Sequence, residues 1–140
     1  WYFVDYQKNN IANIFASGNP VVFWVGSISV ILTLFEYIKT RSEKLLIILL
    51  GFSVFWLPWA ISPRIMFLYH FSPSVPFLSI ALGYQLNNLL GDEKGKRLAL
   101  VLILLMILSF ILIFPFLTGL PIPRNLVELF FLTNLSKNPF

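Results

Sequence analysis

Four apolar runs, Pro20–Ile38, Leu45–Ile61, Ile65–Leu86 and Leu98–Leu117, take up most of the chain and limit what it can fold into. Each approaches the roughly 20 residues that a helix needs to cross about 30 Å of hydrocarbon. In lipid a lone segment satisfies its own backbone groups only as a helix, so an all-α membrane protein with four transmembrane helices is expected. The charged fraction supports this: 11% of residues, against about 25% in soluble domains. A mean hydropathy of +0.83 leaves too little polar surface to face water. The third run contains Pro73 and Pro76, each of which removes a backbone donor, so it reads as a kinked helix or a broken one lining a cavity. Pro115 is expected to end or bend the fourth. No repeat or low-complexity tract is visible, and residues 1–140 read as a single membrane domain.

Charge sets the expected orientation. Lys39, Arg41 and Lys44 separate the first two runs, and Lys94, Lys96 and Arg97 separate the last two. Lys8, Arg64, Arg124 and Lys137 are spread over the opposite side. The positive-inside rule puts both clustered loops in the cytoplasm and both termini outside. The net charge of +4 is therefore a topology signal, and nucleic acid is not an expected partner. Residues 1–18 form an aromatic and polar outer flank. Residues 120–140 form an outer tail, in which Leu126–Leu135 fits an interfacial helix with Leu126, Leu129, Phe130 and Thr133 on its apolar face. The first residue is Trp rather than Met, which suggests the end of a longer protein or a trimmed chain. With no cysteine there is no disulfide framework to read.

The stretch from Ser62 to Phe77 places an arginine, a tyrosine, the single histidine and three prolines in apolar surroundings. Ionisable groups at bilayer depth are costly and mark functional sites by default. Ser62-Pro63 suits a helix start, with serine as the cap and proline in the first turn, and Asn19-Pro20 suits another. Both starts lie on the expected outer side, where a helix N-terminus favours anions. Arg64 in a first turn is electrostatically disfavoured unless an anion is near, so Arg64 suits a lipid phosphate at the interface. A snorkelling interface arginine is the alternative. His70 is a candidate phosphate donor or general acid–base, or a packed histidine bonded to a neighbouring helix. On an unbroken helix it would share a face with Met66, Phe67, Pro73 and Ser74. Tyr69 is either an interfacial anchor or a polar contact in the cavity.

The carboxylates supply no defined pair. Glu36, Glu43, Asp92 and Glu93 fall toward the cytoplasmic side, and only Asp5 and Glu128 remain outside. Glu36 is expected to pair with Lys39 at i,i+3, a functional role being the alternative. One histidine, no cysteine and no carboxylate beside it argue against a metal site. Phe23-Trp24 and Phe55-Trp56-Leu57-Pro58-Trp59 read as aromatic belts. Gly51, Ser53 and Ser27 suit close helix packing. Asn134-Leu135-Ser136 fits a glycosylation acceptor, a pattern frequent by chance.

Two strings carry a family resemblance: Gly18-Asn19-Pro20-Val21-Val22-Phe23-Trp24, and Ser62-Pro63-Arg64 with Phe67-Leu68-Tyr69-His70-Phe71-Ser72-Pro73-Ser74-Val75-Pro76-Phe77. Their order and spacing resemble the C-terminal four-helix region of protein O-mannosyltransferases, from about Ile14 to Leu117. Ser72 and Ser74 stand where the family more often has Leu and Ala. The resemblance implies a GT-C type glycosyltransferase that moves mannose from polyprenyl (dolichyl) phosphate mannose to Ser or Thr of an acceptor protein. The chemistry would take place on the outer or lumenal face of the cell membrane or endoplasmic reticulum. It implies that the catalytic acid lies in an N-terminal half or partner outside this chain, with no catalytic residue here. No cofactor is expected, and motif position together with the anion argument makes Arg64, Tyr69 and His70 candidates for the carrier phosphate. A non-catalytic scaffold or lipid-binding subunit, and a small transporter, are the competing readings.

Overall fold

The computed structural model describes residues 2–6, 10–15, 18–63 and 68–123. Two compact units divide the chain, one of residues 18–109 and one of residues 1–17 with 110–140. Five α-helices occur among the described residues: α1 (Pro20–Thr40), α2 (Glu43–Ala60), α3 (Leu68–Phe71), α4 (Val75–Leu89) and α5 (Glu93–Thr118). Three of these, α1, α2 and α5, are long and apolar enough to cross a membrane. The third apolar run is built as the single turn α3, a 3-10 turn Ser72–Ser74, and the 15-residue α4. The 3-10 turn falls at Pro73, whose missing N–H cannot complete the α-helical ladder.

The helices expose apolar side chains that water would not tolerate. Leu100, Leu104 and Ile111 on α5 are 59%, 64% and 59% exposed. Helices that are apolar all round belong in a bilayer, so the chain is mostly helical and membrane-embedded. Its flanks add an element not anticipated from composition, a three-stranded antiparallel sheet of β1 (Tyr2–Tyr6), β2 (Asn10–Phe15) and β3 (Ile122–Pro123), in that order. In the same unit Ile14 packs against Gly119, whose φ of 69° stops α5 just after Thr118. Pro115 lies inside α5, and the helix runs on past it to Thr118.

The core of the larger unit is the contact of α1, α2 and α4. Leu45 and Leu49 of α2 and Leu78, Ala81 and Leu82 of α4 are buried. On α1 the inward stripe is small: Gly26, Ser29 and Thr33. Between membrane helices there is little hydrophobic drive, so small residues that bring backbones close do the packing. Leu78 fills the space a Gly26 side chain would need, and Phe77 does the same above Gly51. The two buried hydroxyls of α1 are satisfied within the helix: Ser29 donates to the Val25 carbonyl at 2.8 Å and Thr33 to the Ser29 carbonyl at 2.7 Å. This internal bonding is the usual way such residues enter a helix interior.

Candidate functional site

At the start of α1, each residue of the Gly-Asn-Pro string has a separate physical task. Asn19 is the N-cap, its Oδ1 accepting from the N–H of Val21 (3.0 Å) and Val22 (3.3 Å). Two orphan donors of the first turn are thereby satisfied. Its Nδ2 donates to the Met106 carbonyl on α5 at 2.8 Å, 87 residues away. One side chain thus both opens α1 and ties it to α5. Pro20 occupies the first helical position, where its missing N–H costs nothing. Gly18 leaves room for the Phe23 ring, which occupies the space of any β-carbon there.

Phe23 connects this string to the second one. Its ring meets Phe71 edge-to-face, centroids 5.6 Å apart. Phe71 also meets Phe52 of α2 edge-to-face at 6.3 Å, a favoured aromatic geometry. One residue earlier, the His70 ring lies against Trp59 of α2 (4.1 Å) and Tyr69 (3.9 Å). Two strings some forty residues apart therefore share one aromatic cluster built on α1, α2 and α3. His70 is partly covered by it, while Tyr69 is 66% exposed. The Ser62 N–H closes the last turn of α2 on the Trp59 carbonyl at 3.2 Å. Ser62 and Pro63 lie outside regular structure. Arg64, Met66 and Phe67 lie outside the described residues, so the helix start proposed for Ser62-Pro63 lies outside them too. The same holds for the interfacial tail Leu126–Leu135 and for Asn134. Among the described residues no group of three His, Cys, Asp or Glu is placed to hold a metal.

A second polar cluster sits at the far end of α1. The Glu36 carboxylate accepts from Tyr84 OH at 2.5 Å through Oε1, and from Gln85 and Asn88 through Oε2, each at 3.4 Å. Gln85 Nε2 also reaches Thr33 Oγ1 at 3.1 Å. This corrects the expected Glu36–Lys39 pair. The inward face of α1 carries Thr33 and Glu36 together and turns the carboxylate toward α4, where neutral donors surround it. Tyr84, Gln85 and Asn88 went unremarked in the sequence. Their i, i+1, i+4 spacing on one helical face of an apolar run was the available signal.

Comparison with known families matches residues 2–134 to the C-terminal four-transmembrane region of protein O-mannosyltransferase. The chain belongs to this family. Protein O-mannosyltransferase relatives include the polyprenol-phosphate-mannose–protein mannosyltransferase of Mycobacterium tuberculosis, 27% identical over 118 residues, which make up 77% of this chain and 22% of that protein. The protein of the same name from Corynebacterium glutamicum is 26% identical over 124 residues, covering 82% of this chain and 24% of its own length. The chain thus spans about a quarter of the length of these mannosyltransferases. No solved structure matches it. Within this mannosyltransferase region, the Gly-Asn-Pro and Tyr-His strings are brought together through Phe23 and Phe71.

Proposed function

We propose that this chain is the carrier-side membrane part of a mannosyltransferase that moves mannose from a polyprenyl phosphate to Ser or Thr hydroxyls of proteins. The observation that carries the reading is the family membership together with the meeting of its two strings at one end of the helices. In the transfer, a hydroxyl oxygen bonds to the anomeric carbon, the bond from that carbon to the phosphate oxygen breaks, and polyprenyl phosphate leaves. The hydroxyl proton passes to a carboxylate supplied outside this chain. The leaving phosphate gains charge as the bond breaks, so donors placed on it lower the barrier. Arg64, Tyr69 and His70 take that role, with Asn19, Pro20, Ser62 and Pro63 setting the helix starts that position them. Arg64 offers the planar fork that suits a phosphate.

In this reading residues 1–140 act as one membrane domain. The Asn19 and His70 end faces the cell exterior or lumen, and the clustered loops Lys39–Lys44 and Lys94–Arg97 face the cytoplasm. The test is reconstitution of the full-length protein in liposomes with polyprenyl phosphate mannose and a Ser/Thr-containing acceptor peptide. Mannosylated peptide is the expected product. An intact, folded protein that releases no mannose from this donor to any hydroxyl peptide would overturn the reading.

A further inference from the structure

The larger unit holds an apolar groove of about 300 Å³, near the lower limit for small-molecule pockets. Its walls include Ile28 and Leu32 of α1, Leu82 and Leu86 of α4, and Leu98 and Leu102 of α5. Gln85 lines the same groove and also belongs to the Glu36 cluster. A hydrocarbon-lined space is therefore linked through Gln85 to a carboxylate, one turn of α1 beyond Leu32. Three neutral groups bond to that carboxylate: one at Oε1 and two at Oε2. An ionised carboxylate has about four lone-pair sites, so Oε1 keeps an open one. The charge itself is balanced by none of these three partners.

The surroundings favour a cation there. α1 ends at Thr40 and α4 at Leu89, so Glu36 and Asn88 lie in or near the last turns of two helices. Such ends carry partial negative charge. Lys39, Arg41 and Lys44 stand at the same end of α1 and the start of α2, where they suit an anion further from the membrane. Arg41 already rests over the Tyr37 ring, 5.9 Å from its centre. Apolar groove, basic loop and carboxylate complement an acyl chain, a phosphate and an ammonium, the last carried on a short arm that folds back from the phosphate.

We infer that this groove is a lipid site selective for a primary-amine headgroup, phosphatidylethanolamine in chemical class. The acyl chain lies between α1, α4 and α5, and the ammonium donates to Glu36 Oε1. The site is separate from the aromatic cluster at the opposite end of α1 and does not depend on the mannosyl transfer reading. A choline headgroup carries a positive charge but no N–H, and a glycerol headgroup carries neither an N–H nor a positive charge, so both serve as controls.

The test takes the full-length protein in vesicles with equal amounts of phosphatidylethanolamine, phosphatidylcholine and phosphatidylglycerol of identical chains. Native mass spectrometry then reads the lipid retained on the protein. Phosphatidylethanolamine should be enriched about fivefold over the other two, the scale of a partly exposed ion pair. Glu36→Gln should abolish the enrichment. Leu32→Trp, which fills the groove from a lipid-exposed position, should reduce retained lipid of every headgroup. Equal retention of the three lipids in the wild type overturns the inference. So does an enrichment that survives Glu36→Gln. Absence of any retained lipid also overturns it, in favour of a groove covered by polypeptide.

Discussion

Asn19 allows the helix start and the interhelical tie to be separated. Its Oδ1 accepts two backbone N–H groups, which fixes the amide orientation and leaves Nδ2 facing the Met106 carbonyl at 2.8 Å. Asn19→Ser keeps a capping oxygen and loses the tie. An interhelical hydrogen bond in a membrane protein averages about 0.6 kcal/mol. Asn19→Ala loses the cap as well, worth about 1 kcal/mol more. The serine variant should therefore raise the unfolding constant about threefold and the alanine variant about fifteenfold, at tenfold per 1.4 kcal/mol. Equilibrium unfolding of the full-length protein in mixed micelles of dodecyl maltoside and dodecyl sulfate measures both. Equal stability of the two variants would show that Asn19 does not cap α1. A serine variant as stable as the wild type would show that the Met106 contact contributes nothing.

Gly26→Leu places a side chain where Leu78 already sits. Overpacking of this kind costs about 1–3 kcal/mol, and the same unfolding assay should show it. Ser74 is fully buried and its hydroxyl has no hydrogen-bond partner among the described residues. Ser74→Ala should be neutral or stabilising by up to about 1 kcal/mol, whereas a clear loss of stability would mean the hydroxyl is bonded in the membrane. For orientation, an impermeant thiol reagent added outside intact cells should label Ser62→Cys and spare Ser42→Cys. The reverse pattern would invert the proposed faces.

Local rules in the sequence reached the helices but not their partners. The apolar runs mark α1, α2 and α5 to within a few residues, because length and hydropathy alone set a membrane helix. Asn19-Pro20 is a local capping signal, and it does open α1. Its bond to Met106 joins residues 87 apart, and no local pattern encodes it. Glu36 shows the same limit more sharply. Lys39 is its neighbour in sequence, yet Tyr84, Gln85 and Asn88 hold the carboxylate because α4 packs on the small stripe of α1. The hairpin of β1 and β2 was hidden for another reason. Tyr2–Tyr6 and Asn10–Phe15 are rich in aromatic and β-branched residues, which suit strands as well as an aromatic interface. Tyr69 and His70 were legible as part of a motif, and the aromatic setting of His70 became visible only where its ring met Trp59 of α2.

The most direct test of the carrier-phosphate proposal is the affinity of full-length protein for polyprenyl phosphate mannose, measured in detergent for the wild type and Arg64→Lys. Lysine keeps the charge and loses the bidentate fork, so the variant should bind about tenfold more weakly. Donor affinity equal to the wild type in a folded Arg64→Lys protein would contradict the assignment of Arg64 to the carrier phosphate.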